Sequence, residues 1–90
     1  MNKLDELRQQ IDAIDDQLVA LFLKRMDVVR QIADAKADAC IAVKDSGRED
    51  AIVSRLTKDA PDKMKPYICD LYKTVFSTSK SFQSTLMKKG

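Results

Sequence analysis

One continuous helical pattern covers the first part of the chain. From Leu4 to about Ala39 there is neither glycine nor proline. The apolar residues that recur there at helical spacing are Leu4, Leu7, Ile11, Ile14, Leu18, Leu21, Val28, Val29 and Ile32. The pattern predicts an amphipathic helix of roughly 36 residues, about 54 Å long at 1.5 Å per residue. The rest of the chain is too short to cover such a stripe, so we expect part of it to pack on another chain.

Two shorter helices are predicted after a break from Cys40 to Gly47. Ser46 and Glu49 have the spacing of a capping box, which marks the start of a helix. The second helix should run from about Arg48 to Lys58. The third should begin near Pro66, which suits a first helical turn, and end at about Met87. The predicted fold class is therefore all-α, with three helices per chain, in one domain over residues 1–90.

Composition excludes several functional classes. Hydrophobic residues make up 44% and charged residues 33% of the chain, as in ordinary soluble proteins. A net charge of +2 is too balanced to indicate nucleic-acid binding. The longest apolar run, Leu18 to Leu23, is too short to span a membrane, and the N-terminus has no signal-peptide pattern. Cys40 and Cys69 are expected to be reduced thiols in a cytoplasmic protein.

Three cations interrupt or flank the apolar face of the first helix. Arg25 and Lys36 are eleven residues apart, so they share a face, with Cα atoms roughly 16 Å apart. They are able to hold a small dianion between them. Arg8 is about 25 Å from Arg25 along a straight helix, so it joins the same site only from a partner subunit. The alternative is that all three side chains extend to solvent.

Polar pairs also occur on the other two predicted helices. Asp45 and Glu49 are four residues apart, next to Arg48, and either cap the second helix or face a ligand. Ser79 and Gln83 have the same spacing on the third helix, where a polar outer face is the alternative. The chain has no histidine, no nucleophile–base pair and no set of metal ligands. We therefore expect neither a metal nor a cofactor, and a site that binds and polarises an anion.

Taken together, these motifs resemble a known family. The segments that carry the resemblance are Leu7-Arg8-x-x-Ile11-Asp12-x-Ile14-Asp15, Leu21-x-x-x-Arg25, Ala35-Lys36, Val43-Lys44-Asp45-x-x-Arg48-Glu49 and Ser79-x-x-x-Gln83. In this order and spacing they are similar to the all-helical chorismate mutases, over Leu4 to about Leu86. The resemblance implies an intertwined homodimer with shared active sites. It also implies chorismate as substrate, rearranged to prephenate on the path to phenylalanine and tyrosine.

The resemblance assigns a role to each polar residue. Arg25, and Arg8 from the other subunit, would bind the two substrate carboxylates, with Ser79 assisting. Lys36 and Gln83 would donate hydrogen bonds to the ether oxygen of the breaking C–O bond. A pericyclic rearrangement needs no nucleophile, base, metal or cofactor, only a selected conformer and donors aimed at the ether oxygen.

The remaining assignments concern the start of the second helix. Glu49 and Asp45, the latter partly through its backbone, would hold the ring hydroxyl, and Arg48 would orient these acids. Two features depart from the family pattern: the connection from Lys58 to Lys65 is short, and Gly47 stands where relatives often carry a side chain. Some relatives are fused to a prephenate dehydratase or dehydrogenase.

Other functions stay open at this point. An isochorismate-pyruvate lyase shares the fold and the cationic pocket, although its relatives look less like this chain from Asp45 to Glu49. An aminodeoxychorismate mutase is a further alternative. A non-enzymatic helical dimerisation module, in which buried polar residues fix the register, would not require the distant pair Ser79 and Gln83.

Overall fold

Three α-helices make up the structure, a computed structural model that describes residues 2–39 and 46–88. Helix α1 spans Lys3–Ala39, α2 spans Ser46–Thr57 and α3 spans Lys65–Lys88, with a 3₁₀ turn at Asp62–Met64 before α3. No strand occurs in these two ranges. The prediction of an all-α fold with three helices and a very long first helix is confirmed.

Helix α1 has 37 residues without a break. Asn2 caps its start, because the Asn2 side-chain oxygen accepts a hydrogen bond of 2.8 Å from the backbone N–H of Asp5. Asp5 and Glu6 in the first turn and Lys36 in the last turn complement the helix dipole. At 1.5 Å per residue α1 is about 55 Å long, which equals the longest dimension of the structure, 55 Å.

Helix α2 begins two residues earlier than the sequence predicted. Ser46 is its first residue, and its side chain lies outside the described part of the structure, so the capping box with Glu49 stays a prediction. The carboxylate of Glu49 forms an ion pair with Lys80 of α3. Thr57 ends the helix, and its hydroxyl donates a 2.8 Å hydrogen bond to the carbonyl of Val53.

Helix α3 packs against both other helices in the described parts of the chain. The buried apolar residues are Val29 and Ala33 of α1 and Phe76 of α3. Ala33 is only 1% exposed, so α3 comes close to α1 at this point. Tyr72 packs edge-on against Phe76, with ring centroids 5.5 Å apart. The core therefore lies at the C-terminal half of α1.

The N-terminal half of α1 is uncovered by its own chain. Its apolar stripe is about half exposed, at Leu4, Leu7, Ile11, Ile14, Leu18 and Leu21. The radius of gyration is 16.6 Å, whereas a compact domain of this length has about 12 Å. The prediction that the chain does not cover the stripe by itself is confirmed.

None of the helices in the described residues combines the length and the apolarity needed to cross a membrane.

Candidate active site

A cavity of about 460 Å³ lies where the C-terminal half of α1 meets α2 and α3. Its volume suits a small-molecule ligand. All three helices line it: Arg25, Val28, Val29, Ile32 and Lys36 from α1, Arg48, Glu49 and Ile52 from α2, and Phe76, Ser79, Lys80 and Gln83 from α3. Aliphatic and aromatic side chains form much of the wall, and charged or polar groups from each helix interrupt it.

Six of the eight residues singled out from the sequence line this cavity: Arg25, Lys36, Arg48, Glu49, Ser79 and Gln83. Helical spacing explains why they meet. The pairs Arg25 with Lys36, and Ser79 with Gln83, each lie on one helix face, and both faces are turned towards the other helices. The i,i+4 spacing thus placed the residues correctly within each helix, and tertiary packing brought the faces together.

Ser79 and Gln83 are buried rather than on an outer polar face. Each is only 7% exposed, so the alternative interpretation of this segment as a solvated surface is wrong. The segment is nevertheless rich in hydroxyl side chains, of which Ser81, Ser84 and Thr85 are exposed. Among these polar residues of α3, Ser79 and Gln83 are therefore the buried ones that line the cavity.

Arg25 is held by Ser79. One terminal nitrogen of the guanidinium donates a hydrogen bond of 2.7 Å to the Ser79 hydroxyl oxygen. That hydroxyl in turn donates its single proton to the carbonyl of Val75, also at 2.7 Å. Since the proton is used on the backbone, the oxygen can only accept from Arg25. The half-buried Arg25 is thereby fixed at the cavity wall and does not extend to solvent.

Glu49 forms an ion pair across the cavity wall with Lys80, whose ammonium nitrogen lies 3.2 Å from the carboxylate. The pair joins α2 to α3. The exposed fractions are 25% for the Glu49 side chain and 37% for the Lys80 side chain. The sequence analysis missed Lys80, because a lysine in a polar segment reads as a solvated residue. Its position four residues after Phe76 and three before Gln83 was the signal that it shares their face.

Gln83 has an unsatisfied buried oxygen. Its side-chain Oε1 has no hydrogen-bond partner in the structure. Leaving a buried amide oxygen unpaired is unfavourable by about 1–3 kcal/mol, which is uncommon outside functional positions. The two ends of a carboxamide differ little in shape, so the group is able to present either its oxygen or its N–H₂ to the cavity.

Arg8 is the one described site residue that does not line this cavity. Arg8 is exposed on α1, seventeen residues before Arg25 and about 25 Å from it along the helix. Its separation from the cavity within one chain is as the sequence predicted. Asp45 lies outside the described residues.

Cationic and neutral donors dominate the polar lining of the cavity. Among the described lining residues, Arg25, Lys36, Arg48 and Lys80 carry positive charge, and Glu49 carries the only negative charge. No group of three or more potential metal ligands exists among the described residues. The arrangement is suited to binding a compact anion and to directing hydrogen bonds at its oxygen atoms.

Known proteins similar to this chain belong to the family that its sequence motifs resemble. The model of a family described as chorismate mutase type II matches residues 7–84. A protein named chorismate mutase from Methanocaldococcus jannaschii is 33% identical over 58 residues, or 64% of this chain. The matched part spans 59% of the length of that relative. No solved structure matches the chain.

Proposed function

This chain belongs to the chorismate mutase type II family, and on that premise we propose that it converts chorismate to prephenate in the cavity between α1, α2 and α3. One observation carries the proposal: Arg25, Lys36, Glu49 and Gln83 converge on the same cavity from three different helices. The reaction is an intramolecular rearrangement, so it requires positioning and charge stabilisation only. Phenylalanine and tyrosine biosynthesis in the cytoplasm is the proposed setting.

Arg25 is proposed to bind a carboxylate of the substrate. The guanidinium of Arg25 has two terminal nitrogens, and Ser79 holds one of them at 2.7 Å. The remaining N–H groups keep a fixed direction and are able to donate to a carboxylate in the planar geometry that arginine favours. A fixed donor loses less conformational entropy on binding than a mobile one. In this proposal Ser79 contributes by holding Arg25 in place.

Stabilisation of the developing charge falls to Lys36 and Gln83. As the C–O bond breaks, the ether oxygen gains electron density, and a cation and an amide N–H₂ placed beside it lower the barrier. Gln83 is 7% exposed, so its hydrogen bond would form in an environment of low dielectric, where it is strongest. For this role the amide presents its N–H₂ to the substrate.

Recognition of the ring hydroxyl falls to the start of α2. Glu49 lies on the cavity wall, and a carboxylate accepts a hydrogen bond from a hydroxyl group. Asp45 is proposed to share this contact, and Arg48, which also lines the cavity, to orient the acids. The domain that performs these steps is proposed to be residues 1–90.

We further propose that two chains form an intertwined homodimer, in which Arg8 of each chain completes the site of the other. The support is the exposed stripe on α1. Fully burying an aliphatic side chain is favourable by about 1.5–3 kcal/mol. Six half-exposed side chains therefore make on the order of 6 kcal/mol per chain available to an interface, as an upper estimate. Arg8 flanks this stripe, so a partner helix that covers the stripe would lie next to the cation.

The first experiment mixes the purified protein with chorismate, and separately with isochorismate, and identifies the products by NMR. Prephenate from chorismate is the expected result. Pyruvate and salicylate from isochorismate, without prephenate from chorismate, would instead support the lyase. An absence of turnover on both would support the dimerisation module.

The second experiment tests the shared site. Arg8→Ala and Arg25→Ala chains are each expected to be inactive, and mixing them with subunit exchange should restore part of the activity, because one site per heterodimer regains both cations. Arg30→Ala is a matched control, since Arg30 is a cation of α1 that pairs with Asp27 and Asp34 outside the cavity. Full activity in a protein that sediments as a monomer would contradict the proposal.

A further inference from the structure

Lys80 is a cavity residue that the roles above leave unused. It lines the cavity on α3, between Ser79 and Gln83. Its side chain is 37% exposed, whereas that of Lys73 on the same helix is 80% exposed. The difference shows that Lys80 is partly enclosed by the packing of α2 on α3 and is not an ordinary surface lysine.

The ion pair of Lys80 differs from other pairs on these helices in what it connects. Arg30 pairs with Asp27 and Asp34 inside α1, and Lys73 lies 3.9 Å from Asp70 inside α3. Lys80 instead reaches from α3 to Glu49 on α2, at 3.2 Å. A contact between two helices fixes the direction of the Glu49 carboxylate relative to the rest of the cavity.

The pair also changes the charge that a ligand meets. An unpaired carboxylate at Glu49 would repel an anionic substrate and attract a cationic substituent. With Lys80 on one oxygen, the pair is neutral overall, and the other oxygen keeps lone pairs that accept a hydrogen bond. A neutral hydroxyl group is well matched to such an acceptor. A protonated amino group at the same place gains less, since the charge of Glu49 is already compensated.

We propose that Lys80 is a positioning residue for Glu49, and that it makes the site select a substrate with a neutral hydroxyl over one with a cationic amino group at the position that Glu49 contacts. The inference rests on the proposed function, because it assumes that Glu49 meets the ring substituent of the substrate. It adds a residue and a specificity that none of the sequence motifs contains.

The test compares chorismate with aminodeoxychorismate, in which an amine replaces the ring hydroxyl. Lys80→Met keeps the length of the side chain but removes its charge, and kcat/KM is measured for both compounds. We expect the preference for chorismate, as the ratio of the two values, to fall at least about 10-fold, because specificity is a difference between two transition-state affinities. Lys80→Arg, which retains the charge, should keep most of the preference.

Two controls separate this role from a general effect on structure. Lys73→Met removes a lysine from the same helix outside the catalytic cavity, and it should leave the ratio unchanged. In a Glu49→Gln background no carboxylate charge remains to be compensated, so Lys80→Met should then change the ratio little. Circular dichroism checks that every variant is folded.

The outcomes distinguish the two proposals. If the unaltered protein turns over neither compound, the proposed function is wrong, and the role of Lys80 is overturned with it. If the protein makes prephenate but Lys80→Met affects both compounds equally, the role of Lys80 alone is wrong. The same conclusion follows if the change in ratio persists in the Glu49→Gln background.

Discussion

Replacing Ser79 with alanine removes one oxygen atom from the cavity wall and leaves Arg25 without its 2.7 Å acceptor. A hydrogen bond to a charged group contributes about 1.5–3 kcal/mol. Arg25 is only half-buried, and water replaces part of the lost contact, so we expect an effect of about 1–2 kcal/mol. That corresponds to a factor of roughly 5–30.

The loss should appear in KM. Arg25 is proposed to bind a carboxylate that is present in both the substrate and the transition state, so its misplacement weakens both equally. We expect KM for chorismate to rise roughly 5- to 30-fold, with kcat changed less than about threefold. The free energy of unfolding should fall by about 0.5–1.5 kcal/mol, because the better helix propensity of alanine, about 0.5 kcal/mol, offsets only part of the lost hydrogen bond. Steady-state kinetics and thermal unfolding measure the two quantities.

Ser81→Ala is the matched control, since Ser81 lies on the exposed side of the same helix. It should leave KM unaltered. In an Arg25→Ala background, where the affinity for chorismate is measured by calorimetry because this chain is expected to be inactive, the additional Ser79→Ala substitution should have almost no effect, since the group that Ser79 holds is already missing. An undiminished effect of Ser79→Ala in that background would refute the argument, as would a loss confined to kcat.

Three further predictions concern residues around the same cavity. Lys36→Ala should lower kcat by at least about 10²-fold and raise KM much less, as for loss of an oxyanion donor. Steady-state kinetics measure both constants, and a near-normal kcat would mean that Lys36 does not donate to the ether oxygen. Gln83→Glu should be active mainly at acidic pH, because glutamate donates a hydrogen bond only when protonated and its unperturbed pKa is about 4.3. Its kcat should fall as pH rises through the pKa of the new carboxyl group, whereas the unaltered protein should be nearly flat from about pH 5 to 8, having no histidine to titrate there; equal pH profiles would mean that Gln83 does not face the reacting bond. Ala33→Leu should reduce the free energy of unfolding by about 1–3 kcal/mol, because Ala33 is 1% exposed at the contact of α1 with α3; chemical denaturation measures this, and unchanged stability would mean that the two helices are able to separate without cost.

The local sequence pattern was sufficient to predict all three helices, with their starts placed to within one or two residues. The stretch without glycine or proline predicted α1 from Leu4, one residue from its observed start at Lys3. Pro66 lies in the first turn of α3, as expected. The start of α2 was misplaced by two residues, since Ser46 and Gly47 look like residues that precede a helix and are in fact part of it. Helix ends are set by a few weak interactions and are the least certain part of such a prediction.

Predicting the cavity requires the packing of the three helices on one another, which the sequence pattern of a single helix does not show. Spacing placed Arg25 with Lys36, and Ser79 with Gln83, on common faces. The partnership of Lys80 with Glu49 depends on how α2 is oriented against α3, over a separation of 31 residues along the chain. The spacing of Lys80 from Phe76 and Gln83 indicates a shared face, but no periodicity encodes that orientation, so the ion pair with Glu49 could be recognised only in the structure.

The sparse core of the single chain has a consequence for how the protein responds to dilution. Its buried apolar residues, among those described, are Val29, Ala33 and Phe76, and the rest of the apolar stripe on α1 is exposed in the single chain. If a second copy supplies that cover, folding and association become one equilibrium, and the melting temperature rises with protein concentration. Activity per chain would then decline on dilution in an ordinary assay, through unfolding of separated chains rather than weaker binding of substrate.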